Sequence, residues 1–250
     1  MHLLAILEYD GTEFQGFQIQ KNGRTVQQEL ERALIEFLPQ AQRRSARVIT
    51  IGGGRTDAGV HAHGQTASFR IEWAHDLETF RRALNAKLPN DIFVRRVIAV
   101  SEKFSARYSA TSRVYEYHVW NHTERSVFHT RYAHWIPEPL NVSAMAQAAQ
   151  HLIGTRDFGA FGSPPQGDST VRELKRAEVH RVAGEIVFTF EANAFLYRMV
   201  RRMVGTLLLV GRSVLPPDEI VNVIQRKRRA GFSAPPQGLR LVEIKYDLIG

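Results

Sequence analysis

The sequence predicts an α+β fold of two related α/β lobes, with sheets of mixed, mainly antiparallel direction. Segments typical of strands outnumber the helices that could connect parallel strands, and a hairpin is indicated, which disfavours a doubly wound parallel sheet. A similar order of strands and helices recurs in the second half of the chain. Residues 100–105 carry no Pro-, Gly- or Ser-rich linker. We therefore expect two tightly packed lobes, residues 1–103 and residues 104–250.

Strands and helices alternate through the first half. Residues 3–8 are apolar enough for a central strand, which the polar and glycine residues at 9–12 end. Thr25 and Gln28 form a capping box before a helix whose apolar residues share one face and which stops at Pro39. The elements that follow are strands at residues 47–51 and 66–71, a helix at residues 79–88 and a strand at residues 92–100.

The second half repeats this alternation. Residues 114–120 are typical of a strand, and the spacing of Met145, Ala148 and Leu152 predicts a helix. Residues 174–180 and 185–191 form a predicted hairpin around Ala183-Gly184. The remaining elements are a long helix at residues 194–210, a short helix rich in basic residues that opens at Pro216 and Pro217, and a closing strand at residues 241–246.

Composition excludes several classes of protein. The chain has 250 residues, 44% of them apolar, and its first apolar run is too short for a signal peptide or a membrane span. We therefore expect a soluble, cytoplasmic protein with no membrane partner. The absence of cysteine excludes disulfides, iron–sulfur clusters and the usual structural zinc sites.

The charge balance indicates a nucleic-acid partner. Lys and Arg outnumber Asp and Glu by 33 to 25, and 27 of the basic residues are arginine. Arginine's planar fork suits bidentate contacts to phosphate and stacking on bases. Codon bias toward arginine explains the same numbers equally well, so charge alone does not establish a nucleic-acid partner.

The densest signal for chemistry is the polar, glycine-rich stretch at residues 52–64. Glycines let the backbone approach a ligand closely, and Asp57 stands there beside the cation of Arg55. Asp57 is a candidate nucleophile or general base. The structural alternative is an Asx-turn, in which its carboxylate only bonds local amides.

His61 and His63 offer a second interpretation of the same stretch. Two histidines spaced by two residues on a strand point to one face and could bind a metal together with Asp57. That interpretation predicts a metal-dependent hydrolase, which chelators would inhibit. No third histidine or carboxylate cluster stands out to complete the site.

Four stretches resemble the motifs of one family, in the same order along the chain. The matching stretches are Tyr9-Asp10-Gly11-Thr12 with Phe14, Gly16, Phe17 and Gln18; residues 54–62 (GRTDAGVHA); Phe104, Ala106-Arg107, Arg113, Tyr115 and Tyr117; and Asn193-Ala194-Phe195-Leu196 through Met199-Val200-Arg201 to Val204-Gly205, with Asp157-Phe158 and Phe161 between. On these stretches the chain is similar to the TruA family of tRNA pseudouridine synthases over nearly its whole length. Two local departures are Ser105, where the family often has Asp or Asn, and Arg156, where His is common.

The resemblance implies a fold, a reaction and site residues. The fold is two lobes like the RNA-recognition α/β sandwich, meeting in a central, positively charged cleft. The reaction converts uridine to pseudouridine at positions 38, 39 and 40 of the tRNA anticodon stem-loop, in a homodimer, with no metal or organic cofactor. Asp57 is the implied nucleophile, Tyr115 the ring that stacks on the target base, and Arg201 the cation that pairs with the aspartate.

Each implied role has a structural alternative. Tyr115 and Tyr117 share one strand face, so both rings could simply pack in the core. Arginines on the polar side of the long helix are usually a solvated face, and helical spacing does not single out Arg201. The candidates for binding the RNA are Arg55, Arg198, Arg202, Arg226 and Arg228, the last two within a basic run at residues 226–229 that could equally be surface charge.

A non-catalytic RNA-binding protein is the main rival to an isomerase. Paired α/β sandwiches with basic helices and strand aromatics also describe RNA-binding modules. The Asp57 loop discriminates between the two, because a carboxylate beside RNA phosphates repels them and serves no purpose in a pure binder.

Overall fold

The computed structural model describes residues 1–40, 43, 47–164 and 167–247. These pack into two compact units, Met1–Thr111 with Leu241–Gly250 and Ser112–Arg240. Each unit combines strands and helices, which confirms the predicted α+β class. Compactness does not test independent folding, so the division between residues 103 and 104 into two domains stays a prediction.

Strands and helices alternate in both units. Within the described residues the strands are β1 (His2–Tyr9), β2 (Ile51–Gly52), β3 (His61–Arg70), β4 (Ile92–Ala99), β5 (Ala110–Trp120), β6 (His134–Trp135), β7 (Gly154–Asp157), β8 (Val171–Val182), β9 (Glu185–Ala192) and β10 (Leu239–Tyr246). The α-helices are α1 (Val26–Ile35), α2 (Leu77–Asn85), α3 (Val142–Gln150), α4 (Met199–Gly211) and α5 (Ile220–Ile224), with 3₁₀ turns at Pro217–Glu219 and Pro236–Gly238.

The first unit is built on strands in the order β4-β1-β3-β10. β1 pairs antiparallel with both β3 and β4, and the short β2 pairs antiparallel with β3. The rings of Phe69 on β3 and Phe80 on α2 lie 6.2 Å apart in the core beneath the sheet. Thr25 caps α1 as predicted, since its hydroxyl accepts from the Gln28 amide at 3.3 Å.

The second unit has the strand order β5-β9-β8-β7. These neighbours are antiparallel, whereas β6 pairs with β5 in parallel, so the predicted mixed and mainly antiparallel direction is confirmed. Ala183 and Gly184 have φ of 47° and 88°, as the tight turn of the predicted β8–β9 hairpin requires. Helix α4 buries most of its apolar stripe in this unit.

The predicted strand at residues 47–51 is wrong except at its last residue. The buried Glu31 carboxylate on α1 accepts from both the amide and the hydroxyl of Thr50 at 3.0 Å, and the Thr50 carbonyl accepts from Gln27. Side chains of α1 therefore use the backbone groups that a strand ladder needs. Only Ile51 and Gly52 pair with β3.

The predicted boundaries of three helices are also wrong, among them α2, which spans Leu77–Asn85 rather than residues 79–88. Helix α1 ends at Ile35 rather than running to Pro39. Helix α4 starts at Met199 rather than at residue 194, because the Ala194 amide bonds the Asn193 side chain and the Tyr197 amide bonds the Ser163 carbonyl. Helix α5 is apolar, and the basic run at residues 226–229 follows it instead of forming it. Strands β6 and β7 were not predicted.

No helix in the described ranges is long and apolar enough to cross a membrane.

Candidate active site

Asp57 lies in a short loop between β2 and β3, closed by a tight turn. The Val60 amide donates to the Asp57 carbonyl at 3.2 Å, and Gly59 has a φ of 76°, the value that a type II turn needs at its third position. The Gly59 amide donates to Phe14. The loop is shorter than predicted, because β3 begins at His61. The Asp57 side chain is half-buried.

A buried hydrogen-bond network holds the residue before Asp57. The Tyr9 hydroxyl on β1 lies 2.7 Å from the Thr56 hydroxyl and 3.4 Å from the Gln65 amide nitrogen. Gln65 on β3 binds Gly54 at both its amide and its carbonyl. Burial raises the pKa of Tyr9 to about 12, so its phenol stays protonated. Side chains of two strands thus fix the loop on both sides of Arg55.

Two glycines let the N-terminal motif pack against this loop. A Cβ on Gly11 would lie 2.0 Å from the Val60 carbonyl oxygen, and one on Gly16 would lie 2.6 Å from that of Thr56. Gly16 also has a φ of 93°, in the left-handed region. The stretches around residues 9–16 and 54–62, far apart in sequence, therefore form one structure.

His61 helps to join the two stretches. Its Nδ1 accepts from the Gly11 amide at 3.0 Å, which places the proton of the neutral ring on Nε2. The Asp10 carboxylate lies 3.2 Å from the same nitrogen. His61 is buried and His63 exposed. The part of the chain that the structure describes holds no group of three or more His, Asp or Glu side chains placed to bind a metal.

Arg55 is exposed in the same loop. Partial burial lowers its pKa, and the like charge of Arg107 lowers it further. Two guanidinium groups therefore make this edge of the first unit positively charged. Arg107 also lies 5.5 Å from the ring of Tyr108, which is 76% exposed.

Tyr115 lies on β5 of the second unit and is only 7% exposed. Its ring meets Phe195 edge to face, with 5.1 Å between centroids. Tyr117 is fully buried, and its hydroxyl donates to the Pro235 carbonyl at 2.9 Å. Burial raises the pKa of Tyr117, which the positive charge of Arg201 opposes. The structure thus holds the Tyr115 ring within the second unit, packed against Phe195.

The three arginines at the start of α4 have different surroundings. Arg201 is half-buried, and its Nε donates to the Ala234 carbonyl at 2.6 Å. Arg198, with a left-handed φ of 62°, has its guanidinium 4.9 Å from the ring of Tyr197, and Arg202 is exposed. Helical spacing does not distinguish Arg201 from Arg198 and Arg202, but its tertiary contact to Ala234 does.

The basic run at residues 226–229 is partly neutralised within the unit. Arg226 donates to both carboxylate oxygens of Asp157, at 3.0 and 2.8 Å, and Arg228 lies 3.3 Å from Glu219. Hydrogen bonds from the Thr170 hydroxyl and the Gly159 amide, followed by Arg226, lower the pKa of Asp157. Binding of RNA by Arg226 and Arg228 stays a prediction, since each guanidinium already has a carboxylate partner.

A family model described as tRNA pseudouridine synthase matches residues 5–109 and 148–247. The chain belongs to the tRNA pseudouridine synthase family. The resemblance inferred from the sequence motifs is thereby confirmed. The residues matched to the tRNA pseudouridine synthase model contain Asp57 and Arg201, whereas Tyr115 lies between the two matched segments.

Curated relatives from bacteria match along almost the full chain. A "tRNA pseudouridine synthase A" from Pseudothermotoga lettingae is 42% identical over 247 residues, covering 97% of this chain and 98% of that protein. Proteins of the same name from Geobacillus kaustophilus and an Exiguobacterium species are 41% and 40% identical, covering 97% and 98% of this chain and 93% and 97% of their own lengths.

Sequence reasoning missed the residues that support the Asp57 loop. Tyr9 was assigned to a strand end and to a family motif but to no role at the site, and Gln65 to no role. Neither residue carries a local signal for this contact, because the contact depends on the register of β1 against β3, in which Leu7 lies opposite Gln65.

Proposed function

We propose that this chain is a tRNA pseudouridine synthase that isomerises uridine at positions 38, 39 and 40 of the anticodon stem-loop, with Asp57 as the nucleophile. The observation that carries the proposal is the placement of Asp57, in a chain of this family, on a loop fixed by the Tyr9–Thr56–Gln65 network. Catalytic groups need to be held in position by their supporting contacts, which this network provides.

The reaction requires one carboxylate. The bond between uracil N1 and ribose C1′ breaks, the uracil rotates, and C5 bonds to C1′. The C5 proton is released and N1 takes up a proton. Asp57 either attacks C1′ and is later displaced, or removes a ribose proton and later returns it. Both routes give a product with the same atoms as the substrate, and both need the carboxylate ionised at the start.

We assign Arg201 and Tyr115 to the roles that the family resemblance gives them. The Arg201 guanidinium pairs with the carboxylate and favours its ionised form. The Tyr115 ring stacks on the uridine after it leaves the helical stack, a contact worth roughly 1 to 3 kcal/mol per base. The burial of Tyr115 within the second unit supports a ring held in one orientation.

The RNA is bound by basic residues of both units. Arg55, Arg198 and Arg202 are exposed guanidiniums suited to phosphate contacts. Arg226 and Arg228 exchange their carboxylate partners for phosphates when the RNA binds. The support for these assignments is the net charge of +8 and the family resemblance.

The wider architecture follows the same resemblance. We propose that residues 1–103 and 104–250 form two lobes of the RNA-recognition type, with a positively charged cleft for the tRNA. The active form is a homodimer in the cytoplasm, and it needs no cofactor.

The experiment is tritium release from tRNA labelled at uridine C5. Formation of the C5–C1′ bond frees this label, whereas RNA binding alone leaves it in place, so release separates the isomerase from a protein that merely binds RNA. Replacing the uridines at positions 38, 39 and 40 by cytidine in the same tRNA should abolish release. Release that persists from the substituted tRNA would contradict the assigned positions, and no release from any tRNA would contradict the activity.

A further inference from the structure

A concave pocket of about 230 Å³ lies in the second unit beside the start of α4. Two arginines and a phenylalanine line it, together with small residues. Its lining residues are Ala160, Arg202, Arg229, Ala230, Gly231, Phe232 and Ser233. The volume is below the roughly 300 to 1,000 Å³ of pockets for drug-sized ligands. It suits a single phosphate with part of one nucleotide.

Backbone contacts hold the loop that forms the pocket. The Gly231 amide donates to the Thr206 hydroxyl at 2.9 Å. A Cβ on Gly205 would lie 1.9 Å from the Phe232 carbonyl oxygen, so glycine is needed where the loop crosses α4. Arg201 and Ala234 exchange two further hydrogen bonds at the end of the loop. The pocket is thus formed before any ligand arrives, which lowers the entropic cost of binding.

The two pocket arginines differ from their neighbours in charge pairing. Arg226 and Arg228 have carboxylate partners, Asp157 and Glu219. Arg202 and Arg229, by contrast, make no ion pair with any described residue, and both are exposed. Two guanidiniums that face one small cavity without a carboxylate attract an anion, and their planar forks match phosphate oxygens.

One further group in the lining suits a nucleotide. Phe232 is 43% exposed and offers an apolar face on which a base can stack.

We propose that this pocket binds one phosphodiester of the RNA substrate. Arg202 and Arg229 hold the phosphate, and Phe232 contacts the adjoining base. The proposal rests on the proposed function in taking RNA as the ligand. It assigns a binding role to Arg229 and Phe232, and it gives Arg202 a defined partner.

The test is tRNA binding to full-length variants across a range of salt concentration. Arg229→Ala and Arg202→Ala should each weaken binding roughly tenfold at about 0.1 M salt. Each should also reduce the slope of log K against log salt by about 0.7 to 1, because one phosphate contact is lost. Arg229→Lys should keep most of the slope, since it retains the charge.

Arg181→Ala is the matched control. Arg181 is also an exposed arginine of the second unit, bonded to Asn121 and Gly184. Its loss changes the net charge equally and should leave affinity within about twofold and the slope unchanged. Equal slopes for Arg229→Ala and Arg181→Ala would overturn the proposal.

Two measurements separate this proposal from its alternatives. Tritium release by the wild type tests the proposed function independently of the pocket. If the wild type releases tritium but the Arg229→Ala slope equals that of the control, the pocket proposal is contradicted and the proposed function is not. A reduced slope for Arg229→Ala without tritium release by the wild type would contradict the proposed function and support the pocket proposal. Titration with uridine 5′-monophosphate tests for a free nucleotide, and tighter binding of that nucleotide than of tRNA would overturn the assignment to RNA.

Discussion

Tyr9→Phe should weaken both the fold and the catalysis through one hydroxyl group. The side chain is 5% exposed, and its oxygen lies 2.7 Å from the Thr56 hydroxyl. Because burial raises the pKa of Tyr9 to about 12, the phenol is a neutral hydrogen-bonding group at all working pH values. Phenylalanine keeps the ring and removes only the oxygen.

The expected loss follows from the groups left behind. The buried Thr56 hydroxyl loses its partner, whereas Gln65 keeps its two bonds to Gly54. One buried neutral group without a partner costs about 1 to 2 kcal/mol of unfolding free energy. For a chain of this size the melting temperature should fall by roughly 2 to 8 °C.

Catalysis should be affected because Thr56 directly precedes Asp57. A less firmly held loop misplaces the carboxylate, and small displacements can cost on the order of tenfold to a hundredfold in rate. We expect kcat for tritium release to fall while KM changes little. Tyr108→Phe is the control, since its side chain is 76% exposed. A Tyr9→Phe variant with unchanged melting temperature and kcat would show that the network does not position Asp57.

Two further predictions concern Tyr115 and His134. Tyr115→Phe should retain most activity, whereas Tyr115→Ala should lose roughly 1 to 3 kcal/mol of transition-state stabilisation. If the Ala variant, folded at low temperature, released tritium at the same rate as the wild type, this ring would have no role in the active site. Burial, followed by the charge of Arg212, lowers the pKa of His134 to about 4. The unfolded chain, with a histidine pKa of about 6.5, therefore binds the proton first. Stability should be lost as pH falls from about 6.5 to 4, by roughly 1 to 2 kcal/mol because solvent screens this partly exposed ring. Urea unfolding across this range should show a flatter pH dependence in His134→Gln, and identical curves would contradict the prediction.

Local patterns predicted the parts of the fold that depend on neighbouring residues. The Thr25 cap and the Ala183-Gly184 turn each require only a few consecutive side chains, so their signals are complete within the sequence. The strand predicted at residues 47–51 failed because Glu31, about twenty residues earlier, takes the Thr50 amide. No local pattern contains that competition.

At the site, too, local patterns predicted some residues and missed those that depend on tertiary contacts. The glycine-rich pattern and the family resemblance identified Asp57, but the network of Tyr9, Thr56 and Gln65 depends on two strands meeting in register. The pocket arginine Arg229 was indistinguishable from Arg226 and Arg228 in sequence. Its difference arises from carboxylates elsewhere in the unit that pair with the other two arginines and not with it.

The most direct test of the account is tritium release by Asp57→Asn under single-turnover conditions, with tRNA affinity measured on the same preparation. The substitution keeps the shape of the side chain and removes the charge, so the nucleophile is lost while the loop stays in place. Our account predicts no detectable release, with tRNA binding within about tenfold of the wild type. Release near the wild-type rate would contradict the central claim and return Asp57 to a structural role in its turn.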